Sequence, residues 1–312
     1  MTGAEPSQYA VTVAVCTFRR NDLLTSLVQT VAALAANEVP DGAVRLLIVD
    51  DSPESGAAEV VDNLRHNVAI TLDYFASAAA DISIARNHAL QLGAVASDFL
   101  ACLDDDCVPN PGWLRELLRI ADANTADVVV GHRQFVAAPN APRWLSEQPF
   151  LAENLHYVDG SVPTHGNTAN MLVRSSWLQS SRVRFRSEMG TAGGEDMVFF
   201  SDAANAGANI RFAANSICDE PCGGKRATLR YQLWRQFWLG NNEAVINAMT
   251  HHVTRLRLAA RASKRILAGA THPLRRLLRR QAPQWRWAVA LTGSGVGLLV
   301  GVAGVHLRHR SF

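Results

Sequence analysis

Three consecutive carboxylates, Asp104, Asp105 and Asp106, follow the apolar run 99–103 in this 312-residue chain. Like charges this close repel one another unless a cation or hydrogen-bond donors compensate. Hard oxygen ligands suit Mg2+ or Mn2+, and an ion held there can bridge to a diphosphate. The plain alternative is a solvated acidic loop. A second acidic pair, Glu195 and Asp196, follows Gly193-Gly194 and opens a helix-like run through Met197, Phe199, Phe200 and Ala203. Carboxylates at a helix start can serve simply as caps. A carboxylate aimed by the glycine turn can also act as a base, taking a proton from an incoming hydroxyl.

Such groups need rigid elements to aim them, and the first half of the chain supplies alternating strand-like and helix-like runs. Residues 10–16 (AVTVAVC) predict a short buried strand, and residues 21–36 a helix with Leu24, Leu27, Val28, Val31 and Leu34 on one face. Further strands are expected at 45–49, 70–75, 98–103 and 126–131, and helices near 57–64, 82–92 and 111–123, with Pro111 suited to a first turn. This βα alternation predicts an α/β fold with a mainly parallel sheet and helices on both faces. Ligands in such sheets bind at the carboxyl ends of the strands. Those ends are polar four times in succession: Thr17-Phe18-Arg19-Arg20, Asp50-Asp51-Ser52, Arg86-Asn87 on the helix after the third strand, and Asp104-Asp105-Asp106. Four polar ends predict one shared crevice.

Six segments in this order, VAVCTFRR, LLIVDDSPES, SIARNHAL, FLACLDDDCVPNPGWL, GNTANMLVRSSWL and GGEDMVFFSDAANAGANIRF, resemble glycosyltransferase family 2. The resemblance covers residues 10–240, and within the family it points to bacterial exopolysaccharide glucosyltransferases of the succinoglycan-assembly type. It implies a GT-A, Rossmann-like fold and inverting transfer of a hexose from a nucleotide sugar, with a UDP-sugar expected, helped by Mg2+ or Mn2+. By position it assigns Thr17 and Arg19 to the border of the nucleotide. Asp50 and Asp51 would meet uracil and ribose, and Arg86 the base or diphosphate. Asp104 and Asp106 match the D-x-D motif, with Asp106 as the direct metal contact, and Asp105 would face sugar or ribose. Gly166, Asn167 and Asn170 would line the acceptor or donor-sugar pocket. Asp196 matches the catalytic base and Glu195 a supporting carboxylate. One departure stands out: many members place a metal-binding His after the base, where this chain reads CDEPCGGKR (218–226). Glu220 or a backbone group would have to substitute, and Lys225, Arg226 and Arg230 could hold the diphosphate. Gln232-Leu233-Trp234-Arg235-Gln236 resembles the QxxRW motif of processive polysaccharide synthases but ends in Gln. Processive synthesis and a non-catalytic nucleotide-sugar-binding assembly protein are the competing readings.

The formal charge of +2 hides two opposed segments. Residues 1–224 hold 14 Lys+Arg against 27 Asp+Glu; residues 225–312 hold 16 Lys+Arg and Glu243 alone. About half the residues are apolar, which excludes wholesale disorder and fibrous classes. The five cysteines, an odd number in a large chain, argue against a disulfide scaffold. Residues 1–9 show no secretory signal. Ten Lys/Arg between 255 and 286 precede the stretch 287–307, which has no charged side chain and five glycines. That stretch is long enough to cross a bilayer or lie in its surface. The expected organisation is a catalytic domain over 1–225, a basic helical region over 226–286 and a membrane-associated helix over 287–307. The basic stretch beside it predicts contact with anionic lipid rather than nucleic acid. Positive residues on the inner side place the catalytic domain at the cytoplasmic face, with a polyprenyl-diphosphate-linked oligosaccharide as acceptor.

Overall fold

The computed structural model describes residues 9–39, 44–95, 97–152, 157–190, 193–250 and 253–307; residues 1–8 lie outside them. Eight strands form one sheet: β1 (Val11–Thr17), β2 (Val44–Asp50), β3 (Thr71–Ala76), β4 (Phe99–Asp104), β5 (Val108–Pro109), β6 (Val128–Ala137), β7 (Asn170–Arg174) and β8 (Ile210–Cys222), in the order β3-β2-β1-β4-β7-β6-β8-β5. The first four pair in parallel, as the βα alternation requires. Antiparallel pairing then takes over between β4 and β7, β6 and β7, and β5 and β8. The strand expected at 126–131 is therefore the start of a longer antiparallel one, and the sheet is mixed.

Alternation along the central strands builds a core on each face. Val11, Val13 and Val15 of β1 and Leu46 and Ile48 of β2 point one way. They meet Leu24 and Val28 of α1 (Asn21–Glu38), Leu64 of α2 (Ala58–Arg65) and Trp113 and Leu117 of α4 (Trp113–Ala123). Ala14, Leu47 and Val49 point the other way. There they meet Ala89 and Leu90 of α3 (Ile82–Ala94), Leu178 of α6 (Ser175–Ser181) and Phe199 and Phe200 of α7 (Glu195–Asn205). The register aligns Thr17 with Asp50 and Cys16 with Asp104, so the polar strand ends share one edge.

The chain divides into two compact units. The first holds most of the sheet and its helices. The second comprises the described parts of Phe135–Asn154, Thr191–Gly194 and Pro221–Phe312, a composite that no single cut in the sequence describes. It contains α5 (Trp144–Glu147), α8 (Leu229–Thr250), α9 (Arg255–Leu278) and α10 (Trp285–Val302). The expected apolar segment 287–307 is thus a helix that begins two residues earlier and ends at Val302; Gly304 has left a helical conformation, with φ +90°. It is the one described helix long and apolar enough to cross a membrane.

Glycines let α10 pack against both neighbours. A side chain at Gly297 would overlap the Phe237 carbonyl oxygen of α8, and one at Gly295 would press on the Ala262 carbonyl of α9. Gly293 and Gly304 face open space. Five of the seven tryptophans lie in this unit, so their fluorescence reports its unfolding. Gly297→Leu is expected to lower its stability by about 2 kcal/mol, seen as a lower urea midpoint, because backbone cannot yield as a side chain can.

Candidate active site

Arg86 is the central cation of the site. It projects from α3, whose first turn is capped by Asp81 accepting from Ser83 N at 2.9 Å and Ile84 N at 3.2 Å. The next residue, Asn87, exchanges two 2.8 Å hydrogen bonds with the Phe185 backbone. With α3 so fixed, Arg86 donates to Asp104 at 3.0 Å and to Glu195. Burial would lower the guanidinium pKa, but Asp104, Glu195 and Asp196 outweigh it and raise the pKa. Arg86 therefore joins the carboxyl end of β4 to the first turn of α7. That turn is held from below by Phe185 stacked on Phe199, with centroids 4.5 Å apart.

Asp196 follows Glu195 in the first turn of α7. Its pKa is pushed up to about 6, first by burial and then by the Glu195 charge, while Arg86 and Arg133 pull it down. The glycine pair before it has φ +78° at Gly193 and +83° at Gly194, backbone conformations that other residues resist.

The acidic loop after β4 is held from the other side. Asp105 is buried; it accepts from Thr17 Oγ1 at 2.9 Å and Arg20 at 2.7 Å, and Arg20 also reaches Asp106 at 3.0 Å. Burial raises the Asp105 pKa and Arg20 opposes it. Pairing of β5 with β8 sets Val108 opposite Asp219, so the next step brings Cys107 opposite Glu220. Ligand atoms of Asp106, Cys107 and Glu220 consequently lie within 4.8 Å of one another. The two carboxylates suit Mg2+ or Mn2+. Cys107 is buried, and desolvation pushes its thiol pKa well above the ordinary value. Glu220 is the residue of the 218–226 stretch that this group contains. Asp104 is outside this group and faces Arg86 instead.

Several residues expected to touch ligand are built into the scaffold. Asp50 is completely buried and accepts from Ser52 N and Ala57 N, each at 2.9 Å, from Tyr74 OH at 3.0 Å and from the Ser52 hydroxyl. Its lone pairs organise the loop into α2. Asn170 is also enclosed and donates to Ser216 O at 2.9 Å and His132 O at 3.2 Å, tying β7 to β8 and β6. Gly166 has no room for a side chain because the Phe200 ring abuts it. By contrast, Asn167 Oδ1 and Thr168 Oγ1 are buried with no hydrogen-bond partner among the described residues. Asp51, buried and raised in pKa chiefly by desolvation, accepts from Ser77 Oγ at 3.2 Å. Arg19 sits in a left-handed conformation, φ +55°, paired with Glu54. Both line an open cleft of about 420 Å³ that Arg20 borders too. Arg226 and Arg230 belong to the second unit, on the turn before α8 and in its first turn; the Gln232 side chain donates to Arg226 O at 2.7 Å. Gln232, the first residue of the QxxRW-like stretch, is thereby a buried structural group.

Comparison with known proteins fits this geometry to a family. The Glycosyl transferase family 2 description matches residues 12–180. The chain is a member of glycosyltransferase family 2. It is 33% identical over 243 residues to succinoglycan biosynthesis protein ExoM of Rhizobium meliloti (strain 1021), covering 78% of this chain and 76% of that protein. The fold resembles the mannosyltransferase PcManGT from Pyrobaculum calidifontis, solved with GDP-Man and Mn2+, with TM-score 0.59, 15% identity and coverage of 95% and 87% of the two chains. It also resembles S. aureus TarS 1-349 in complex with UDP-GlcNAc, with TM-score 0.51, 16% identity and coverage of 94% and 92%. These likenesses establish the GT-A-type fold. Two residues of this family member escaped the sequence reading. Arg20 stands among the polar strand ends but is assigned no contact, although its place three residues after Thr17 is a usable signal. Arg133 gave none: it reaches Glu220 at 3.7 Å and the Asp196 field only through the β6–β8 arrangement.

Removing Arg86 leaves two acidic side chains without their shared partner. Arg86→Met is expected to cost about 3 kcal/mol or more in urea unfolding.

Proposed function

We propose that this family 2 glycosyltransferase transfers a hexose with inversion from a UDP-sugar to a hydroxyl of a polyprenyl-diphosphate-linked oligosaccharide, in exopolysaccharide synthesis at the cytoplasmic face of the membrane. The observation that carries the reading is Asp196: a carboxylate in the first turn of α7, raised to about 6, beside the Arg86–Glu195 pair. Such a carboxylate is ionised at neutral pH yet basic enough to take the proton of an attacking hydroxyl. Inversion follows from direct attack, with no covalent intermediate on the enzyme.

The charge balance supports a divalent cation. Among the described ion pairs and charges, the six carboxylates Asp104, Asp105, Asp106, Glu195, Asp196 and Glu220 are set against three cations, Arg20, Arg86 and Arg133. A donor diphosphate would be repelled unless cationic charge arrives with it. Asp106 and Glu220 are the residues that would hold Mg2+ or Mn2+. The ion, when bound, stabilises charge developing on the departing nucleotide diphosphate. Thr17, Arg19 and Asp51 border the nucleotide in this reading, Asp105 anchors Thr17 and Arg20, and the unsatisfied Asn167 Oδ1 is offered to a sugar hydroxyl. The relatedness to ExoM supports the exopolysaccharide setting. The basic C-terminal segment supports a membrane-bound acceptor, and no nucleic-acid role is assigned to it.

The test is nucleotide release from UDP-hexoses with lipid-linked oligosaccharide as acceptor. Asp196→Asn should lower kcat by roughly 10²–10⁴ with donor KM little changed. In the unaltered enzyme kcat/KM should rise with pH through about 6, as the Asp196 carboxyl loses its proton, and the variant should lose that limb. A fully active Asp196→Asn would remove the assignment. Separately, chelation should abolish turnover, and Asp106→Ala combined with Glu220→Gln should shift the Mn2+ requirement to higher concentration. Unchanged metal dependence in that double variant would place the cation elsewhere.

A further inference from the structure

We infer that the chain docks on anionic membranes through the elbow between α9 and α10, as a monotopic protein whose apolar helix does not span the bilayer. The inference rests on the membrane-bound setting proposed above and names the element that makes the contact.

The packing of α10 argues against insertion. Its start is tied to the α5 region: Gln284 donates to Glu147 O at 2.9 Å, and Trp287 N to Gln148 Oε1 at 3.0 Å. Its far end returns to the middle of α8, where Asn241 Nδ2 donates to Val305 O at 2.8 Å and Leu307 N donates to Asn241 Oδ1 at 2.9 Å. Between these ties, Gly295, Gly297 and Gly301 rest on backbone atoms of α8 and α9. A spanning α10 would have to leave these contacts or carry its partners with it. The partners are unsuited to hydrocarbon. Helix α9 holds seven Lys/Arg and no acidic residue, and Arg261 and Arg265 both pair with Glu243 of α8. Charges at bilayer depth are costly.

The elbow combines the two features that surface binding needs. Leu274, Leu277, Leu278 and Trp285 are 49–76% exposed. Arg275, Arg276, Arg279, Arg280 and Arg286 lie within the same thirteen residues, with no carboxylate among them. Apolar side chains that enter the headgroup boundary, ringed by arginines, match a bilayer containing anionic lipid. A nucleic acid would satisfy the arginines but offer nothing to the leucines.

The experiment uses the full chain. It should float with vesicles of phosphatidylcholine plus phosphatidylglycerol, bind phosphatidylcholine alone weakly, and be released by salt. From membranes of expressing cells it should be extracted by alkaline carbonate. L277E with L278E, and separately R279E with R280E, should each lower vesicle partitioning roughly tenfold or more. Their circular dichroism and thermal midpoints should match the unaltered chain. Retention through carbonate extraction would show a spanning helix and overturn the inference. Binding that neither double variant weakens would remove the elbow while leaving membrane association intact. Failure of the unaltered chain to bind either vesicle would remove the membrane setting itself. Equal affinity for nucleic acid at the same salt would also count against a lipid occupant.

Discussion

A buried guanidinium needs carboxylates, and in this chain the ones Arg86 finds are 18 residues ahead and 109 residues ahead in sequence. The core of the site depends on that requirement. An isolated buried charge would cost several kcal/mol, so neither Asp104 nor Glu195 can drift from Arg86 without penalty. The end of β4 and the start of α7 are thereby locked together before any ligand arrives. Such a pair is weak evidence for stability as such, since desolvation offsets most of the attraction. Its value lies in position: it fixes the turn on which Asp196 sits.

The acidic loop shows the same logic with a different balance. Arg20 neutralises Asp105 and reaches Asp106, and Arg133 stands 3.7 Å from Glu220. The loop is therefore held in shape by cations that belong to the chain, while carboxylates outnumber cations among these described groups. This division separates structural neutralisation, which must be permanent, from ligand neutralisation, which must be reversible. Asp105 serves the first purpose, because burial leaves both of its oxygens facing protein donors. The proposed cation would supply the second at Asp106 and Glu220.

Local signals made much of this legible in the sequence. The first four strands, their helices, the acidic triplet and the GGED turn all follow from short-range periodicity or adjacent residue types. The antiparallel half did not. Nothing in the run after Ala126 distinguishes a parallel strand from an antiparallel one, because direction is set by where the chain returns from. Glu220 could be named from its position but not located, since only the β5–β8 register brings it to Asp106. Asp50 and Asn170 show where residue type says less. Polar residues at strand ends look like ligand contacts, yet one organises a loop and the other ties strands through backbone carbonyls. Residue type cannot separate these roles, because a buried hydrogen bond and a ligand contact ask for the same chemistry.

Asp196, the proposed base, brings these constraints together. Burial is the largest influence raising the Asp196 pKa, ahead of Glu195, and the two arginines limit the rise. An uncompensated buried pair of adjacent carboxylates would retain a proton at neutral pH and could not act as a base. A fully compensated pair would have an ordinary pKa and abstract a proton poorly. Arg86 spends most of its charge on Asp104 and Glu195, to which it is bonded, and acts on Asp196 only through space. That indirect geometry leaves Asp196 between the two limits. The Arg86–Glu195 pair thus adjusts, behind burial, the pKa of a carboxyl that Arg86 does not bond.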